Sequence, residues 1–179
     1  MRVTETDIWF KTRAIVLKEQ KIQVINLQSN LQKIIQDKLS LSAATNTFHD
    51  NLSQFMGSMV VGDKESMVGG VYKHQAEADE ELRFLAEDYE KMIEAADRAL
   101  AVRKEALRGL IGKRNRFEAG KEDPENMEVS KDVFDTLNQT MRRELEHFDT
   151  VMGDEFSRAF DDYNRKYEKA LNRKEVNRF

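Results

Sequence analysis

From Phe134 to Leu171 the apolar residues fall at Phe134, Leu137, Met141, Leu145, Phe148, Met152, Phe156, Phe160, Tyr163, Tyr167 and Leu171. Ten steps of three or four residues span 37 positions, a mean of 3.7. That period is close to an eleven-residue repeat and departs from the seven-residue repeat of a left-handed coiled coil. The stripe therefore stays on one side of a single helix through about ten turns. A helix with so long an aromatic face needs equally long partners to cover it. The expected fold is all-α, built from a few very long helices.

Two more such helices are readable upstream. The first is predicted over residues 4–56, with Thr4, Thr6 or Asp7 as its cap. Its apolar seam reads Val24, Leu27, Leu31, Ile34, Leu41, Phe48, Leu52 and Phe55, with Lys38 and Thr45 filling two heptad positions. Gly57, Gly62 and Asp63 mark its end. The second is predicted over about 64–119, with its start open between Lys64 and the residues after Gly69-Gly70, because paired glycines cost roughly 2 kcal/mol in a helix interior. Its face carries Leu82, Leu85, Tyr89, Met92 or Ile93, Ala96, Leu100, Leu107, Leu110 and Ile111. Pro124 is the only proline, preceded by Asp123, which reads as a cap followed by a first-turn proline. The third helix is predicted over 124–173. Three helices of about 40 to 55 residues, or about 60 to 80 Å each, make one slim antiparallel domain spanning 1–179. Such a protomer has little core per unit length, so self-association is expected.

The bulk composition narrows the function. The chain has 179 residues, no cysteine, one proline and 35% charged residues. Disulfide frameworks and thiolate metal sites are excluded, and a reducing, cytoplasmic setting is expected. No apolar run approaches the ~18 residues of a transmembrane helix, and Met1–Asp7 lacks the apolar stretch of a signal peptide. Net charge is −4, but its distribution is uneven. Between Ala101 and Lys121 seven cations (Arg103, Lys104, Arg108, Lys113, Arg114, Arg116, Lys121) face two acids, giving +5 and leaving −9 elsewhere. From Gln75 to Arg98 nine acids face three cations. A helix so polarised presents a basic end to anions.

Signals for catalysis are poor. His49, His74 and His147 sit on three different predicted helices, with no HExxH or His-plus-carboxylate spacing. Glu144-Leu-Glu-His147 is one Glu-x-x-His pair, and a carboxylate metal centre needs two. Gly109-Leu-Ile-Gly112-Lys113 is too short for a phosphate loop. No enzyme, metal or cofactor is expected. The basic end fits anionic lipid heads better than nucleic acid, because Phe117 is the only aromatic interleaved with the cations. Asp7-Ile-Trp-Phe10 carries the single tryptophan, Trp9, and its acidic neighbours favour packing over membrane insertion.

Several segments resemble one family in order along the chain. Glu5-Thr-Asp-Ile-Trp-Phe10 is similar to the ESDIWF-type opening of the BAR (membrane-curving dimer) region of retromer-associated sorting nexins. Leu39–Phe48 and Asn51–Gly57 resemble that family's LALNTAQFAKSLAMLG-type stretch, and Leu85–Ile93 its LLSDYIRLI-type stretch. Lys113-Arg114 falls where the family has a KKR-type tip. Arg142–Phe148 and Glu155-Phe156 resemble its IRKEVGRF and DFK elements. The resemblance implies a crescent-shaped dimer of three-helix protomers, homodimeric or paired with a related sorting nexin. It further implies peripheral binding to anionic, phosphoinositide-bearing endosomal membrane, curvature generation or sensing, and work with a retromer-type coat in retrograde transport. By position Lys113, Arg114, Arg116 and Lys121 map to the lipid-contacting tip. Trp9, Phe48, Leu52, Phe55, Tyr89, Phe148 and Phe156 map to the core or the dimer seam. A spectrin-like or coiled-coil scaffold that joins proteins without touching lipid is the alternative, since it uses the same helices.

Overall fold

The computed structural model describes residues 7–55 and 67–172 and holds three long α-helices: α1 (Ile8–Phe55), α2 (Met67–Glu118) and α3 (Pro124–Asn172). The described residues contain no strand. The expected starts at Thr4 and Lys64, and the expected ends at Met56 and Arg173, lie outside the described residues.

The helix boundaries follow from local chemistry. Asp7 caps α1, its Oδ1 accepting the Trp9 N–H at 3.0 Å while its carbonyl accepts the Lys11 N–H. The α2–α3 turn is closed from both sides. Gly120 adopts φ 68°, and the N–H groups of Gly120 and Lys121 return to the carbonyls of Phe117 and Arg116. This is the Schellman pattern, which a residue without Cβ adopts at low cost. Asp123 then caps α3 by accepting the Glu125 N–H at 3.1 Å, with Pro124 in the first turn where no N–H is missed. The glycine pair does not delay α2. Gly69 and Gly70 lie in its first turn, where the Gly69 carbonyl accepts the buried Ser42 hydroxyl at 2.8 Å.

The helices contribute to two compact units. The first takes the described part of Met1–Gln23 with Tyr89–Asp154, and the second takes that of Val24–Asp88 with Glu155–Phe179. In the first unit Phe10 and Leu17 of α1, Ile93 and Ala96 of α2, and Phe134, Met141, Leu145 and Met152 of α3 are buried. Lys21 pairs with Glu94 across α1 and α2, and Arg103 donates to Asn138 across α2 and α3. With the Phe10–Arg103 and Tyr89–Phe148 contacts, these pairs run in opposite numbering, so α2 is antiparallel to both neighbours. In the second unit Val24, Leu31 and Ile35 of α1 and Val71, Ala78, Leu82 and Ala86 of α2 are buried. Tyr163 and Tyr167 of α3 reach Asp79 there.

Two expected seams change. On α2 the inward residue is Ile93, not Met92, and Arg103 fills the step between Leu100 and Leu107. On α1 the inward line is Val24, Leu31, Ile35, Lys38 and Ser42, whereas Ile34, Leu41, Phe48, Leu52 and Phe55 are exposed. The covered line thus keeps Val24, Leu31 and Lys38 of the expected heptad seam and replaces its other half, Ile34, Leu41, Phe48 and Phe55, with Ile35 and Ser42. The physical reason is polar: the inward line carries Lys38 and Ser42, which have buried partners on α2.

Candidate functional site

The basic end of α2 separates into two populations. Arg103 is a packing residue, only 2% exposed. Its guanidinium lies 3.6 Å from the Phe10 ring centroid and 5.5 Å from that of Phe134, and its Nε donates to Asn138 Oδ1 at 2.6 Å. A desolvated cation over aromatic faces gains electrostatic attraction from the rings and holds three helices together. The other cations face solvent. Arg114 pairs with Glu118 at 2.8 Å and Arg116 with Glu122 at 3.5 Å, yet both guanidiniums stay more than half exposed. Lys113 donates to Ser130 Oγ at 2.7 Å and Lys121 is exposed at the turn. Exposed pairs of this kind are weak, so the cations remain reachable by an anion. The turn also brings acids close. Glu122, Asp123, Glu125 and Glu128 follow directly, so residues 101–128 hold seven cations and six acids, a net +1.

In Asp7-Ile-Trp-Phe10, Phe10 is buried and Trp9 half-buried, whereas Ile8 is exposed. Arg142 of α3 stands 4.9 Å from the Trp9 ring and 3.6 Å from the Asp7 carboxylate, and Phe10 meets Trp9 edge to face at 4.8 Å. Tyr89 stacks on Phe148 at 5.9 Å in the first unit, and Phe156 is half-buried in the second. Desolvation by that packing, with the Asp149 charge nearby, raises the Tyr89 phenol above its ordinary range.

The exposed face of α1 is apolar. Ile34, Leu41, Phe48 and Phe55 recur at seven-residue steps, and with Leu52 they fall within about 60° on a helix of 3.6 residues per turn. Phe48 is 66% and Phe55 88% exposed. The tract Leu39–Phe48 carries no charge in a chain that is 35% charged.

One constellation has no place in the sequence reading. Asp79 of α2 is fully buried, and Lys38 of α1 pairs with it. Tyr163 donates to Asp79 Oδ1 at 2.9 Å and Tyr167 at 3.2 Å. The Lys38 ammonium also lies 4.3 Å from the Tyr167 ring centroid. Two tyrosines four residues apart on a stripe otherwise made of Phe, Met and Leu, and a lysine on the α1 seam, are the signals that expose it.

The histidines stay apart. His74 lies 3.1 Å from its helical neighbour Glu77, and both Glu144 and His147 are exposed. Among the described residues no three metal-capable side chains gather, and no helix is long and apolar enough to cross a membrane. No protein-family model matches the chain, and no characterised protein matches its sequence significantly.

Proposed function

We propose that this chain is a non-catalytic, self-associating scaffold of the BAR type, similar to that of sorting nexins. In this reading it binds and bends anionic endosomal membrane in retrograde transport, in the cytoplasm, with a retromer-type coat. The carrying observation is the α1 face Ile34-Leu41-Phe48-Phe55, whose heptad spacing and uncharged setting suit burial against another long helix. A second copy, or a related chain, supplies that helix. Such a face has no use in a lone protomer, where large apolar patches mark interaction sites. The solvent-facing cations Lys113, Arg114, Arg116 and Lys121 give the lipid contact, at roughly 1 kcal/mol per basic residue near an anionic leaflet.

The near-neutral count over residues 101–128 favours a second reading, a spectrin-like scaffold without lipid contact. One set of measurements separates the two. The chain is expected to sediment as a dimer and to pellet with phosphatidylserine and phosphoinositide vesicles. Phe48→Glu with Phe55→Glu should yield monomers, and Lys113→Glu with Arg114→Glu should stay dimeric and lose pelleting. A parent dimer that never pellets leaves the protein-joining scaffold. A monomeric parent chain removes the BAR-type dimer and leaves the protein-joining rod.

A further inference from the structure

The described start of α1 packs at the level of Arg103, whose guanidinium lies near both the Phe10 and Phe134 rings. Beside the α2–α3 turn lies an open groove of about 370 Å³ between α2 and α3. Its floor is small and apolar on the α2 side, with Ala106, Gly109 and Leu110. The α3 side carries Val129 and Val133, both more than half exposed, and Leu137 below them. Lys113 stands at the rim, held by its hydrogen bond to Ser130, and it is the one charged side chain lining the groove.

The other grooves offer a different chemistry. One of about 330 Å³, between Met92, Ala95, Ala99 and Thr140, Phe148, has the carboxylate of Glu144 at its edge. Another, near His74, is lined by Glu77, Glu81, Lys166 and Lys169, acids and bases together. Of these three, the groove beside the turn joins an uncharged apolar trough to a single cation. Arg114 and Arg116 follow within one turn on the same helix.

We propose that this groove takes one acyl chain of an anionic membrane lipid, with the headgroup charge at Lys113 and the chain laid along Gly109, Val133 and Leu137. The charge argument selects the occupant: an apolar segment of protein gains nothing from Lys113, whereas a lipid phosphate or carboxylate replaces the neutral Ser130 hydroxyl as its partner. A volume of this size is at the lower end of ordinary ligand sites and suits a single chain rather than a whole lipid. The inference rests on the membrane reading above and adds to it a hydrophobic component beyond surface charge.

The natural chain has no cysteine, so Val133→Cys can be labelled uniquely with bimane. The full chain is mixed with phosphatidylcholine vesicles, with and without phosphatidylserine, carrying a nitroxide either at mid-chain or on the headgroup. Mid-chain quenching is expected in the anionic vesicles alone. Gly109→Leu should abolish it while pelleting persists, because a Cβ at Gly109 meets nothing within 4 Å and the added side chain fills the trough. Should circular dichroism show that variant unfolded, Ala106→Leu fills the same space. Pelleting with headgroup quenching alone overturns the groove inference and leaves membrane binding standing. Absence of pelleting in both vesicle types overturns the two together. Bimane already shielded before lipid is added, or mid-chain quenching that survives the filled groove, overturns the acyl-chain assignment.

Discussion

Asp79 shows how much one buried charge constrains a helical scaffold. Its carboxylate has no solvent exposure and is met by an ammonium and two phenols from the other two helices. Removing one partner of such a set leaves the remaining charge without compensation, which costs about 3–5 kcal/mol. Asp79→Ala is expected to lower stability by that amount in urea denaturation, whereas Asp79→Leu combined with Lys38→Met should cost far less. The same cluster sets an alkaline limit. Burial, followed by the hydrogen bond to Asp79 and its charge, pushes the Tyr163 phenol well above its ordinary value. The unfolded chain loses that proton near pH 10 while the folded chain keeps it, so stability falls as pH rises past that point. Tyr163→Phe should flatten the alkaline limb of a melting-temperature profile. On the acid side, the Lys21 hydrogen bond and charge hold Glu94 below the usual carboxylate range. Its contribution is present above about pH 4.3 and disappears as pH falls below it. Glu94→Gln should therefore remove part of the acid sensitivity.

At the scale of the helices, the local signals and the tertiary contacts divide the work. The α2–α3 turn was legible from Gly120, Asp123 and Pro124 alone, because each residue solves a backbone problem that arises within a few positions. Asp123→Ala is expected to cost about 1 kcal/mol. Gly120→Ala, at a left-handed φ, should cost about 1–2 kcal/mol. Thermal melts of the two variants check both values. The α1 seam was not legible, since two candidate lines share the helix. Both pass through Val24, Leu31 and Lys38; one continues through the large apolar residues Ile34, Leu41 and Phe48, the other through Ile35 and Ser42. Hydrophobicity favours the first, and the structure covers the second. Lys38 and Ser42 meet Asp79 and the Gly69 carbonyl across α2, contacts separated by 41 and 27 residues in sequence. Arg103 is a parallel case. A charge count assigns it to the basic surface, but two phenylalanines from other helices draw it inward.

For the whole molecule, the proposed self-association through the α1 face would make stability depend on protomer concentration, because only the folded chain would bind the partner. The melting temperature of the parent chain is expected to rise with concentration, and that of Phe48→Glu with Phe55→Glu to stay constant, in scanning calorimetry over a dilution series. The proposed membrane contact through a tip of net +1 would be short-ranged, since charge is screened within about 8 Å at physiological salt. Vesicle pelleting should therefore weaken with added salt while the mid-chain quenching component survives better, as an apolar contribution is not screened.

The division between sequence and tertiary structure follows from range. An all-α chain of three long helices, joined by a glycine–proline turn, was determined by periodicity and capping, which act over three to seven residues. Which line of α1 turns inward, which basic residues leave the surface, and where an aspartate meets two tyrosines were decided only when distant helices came together. A buried charge is tolerated or rejected by partners that no local window contains.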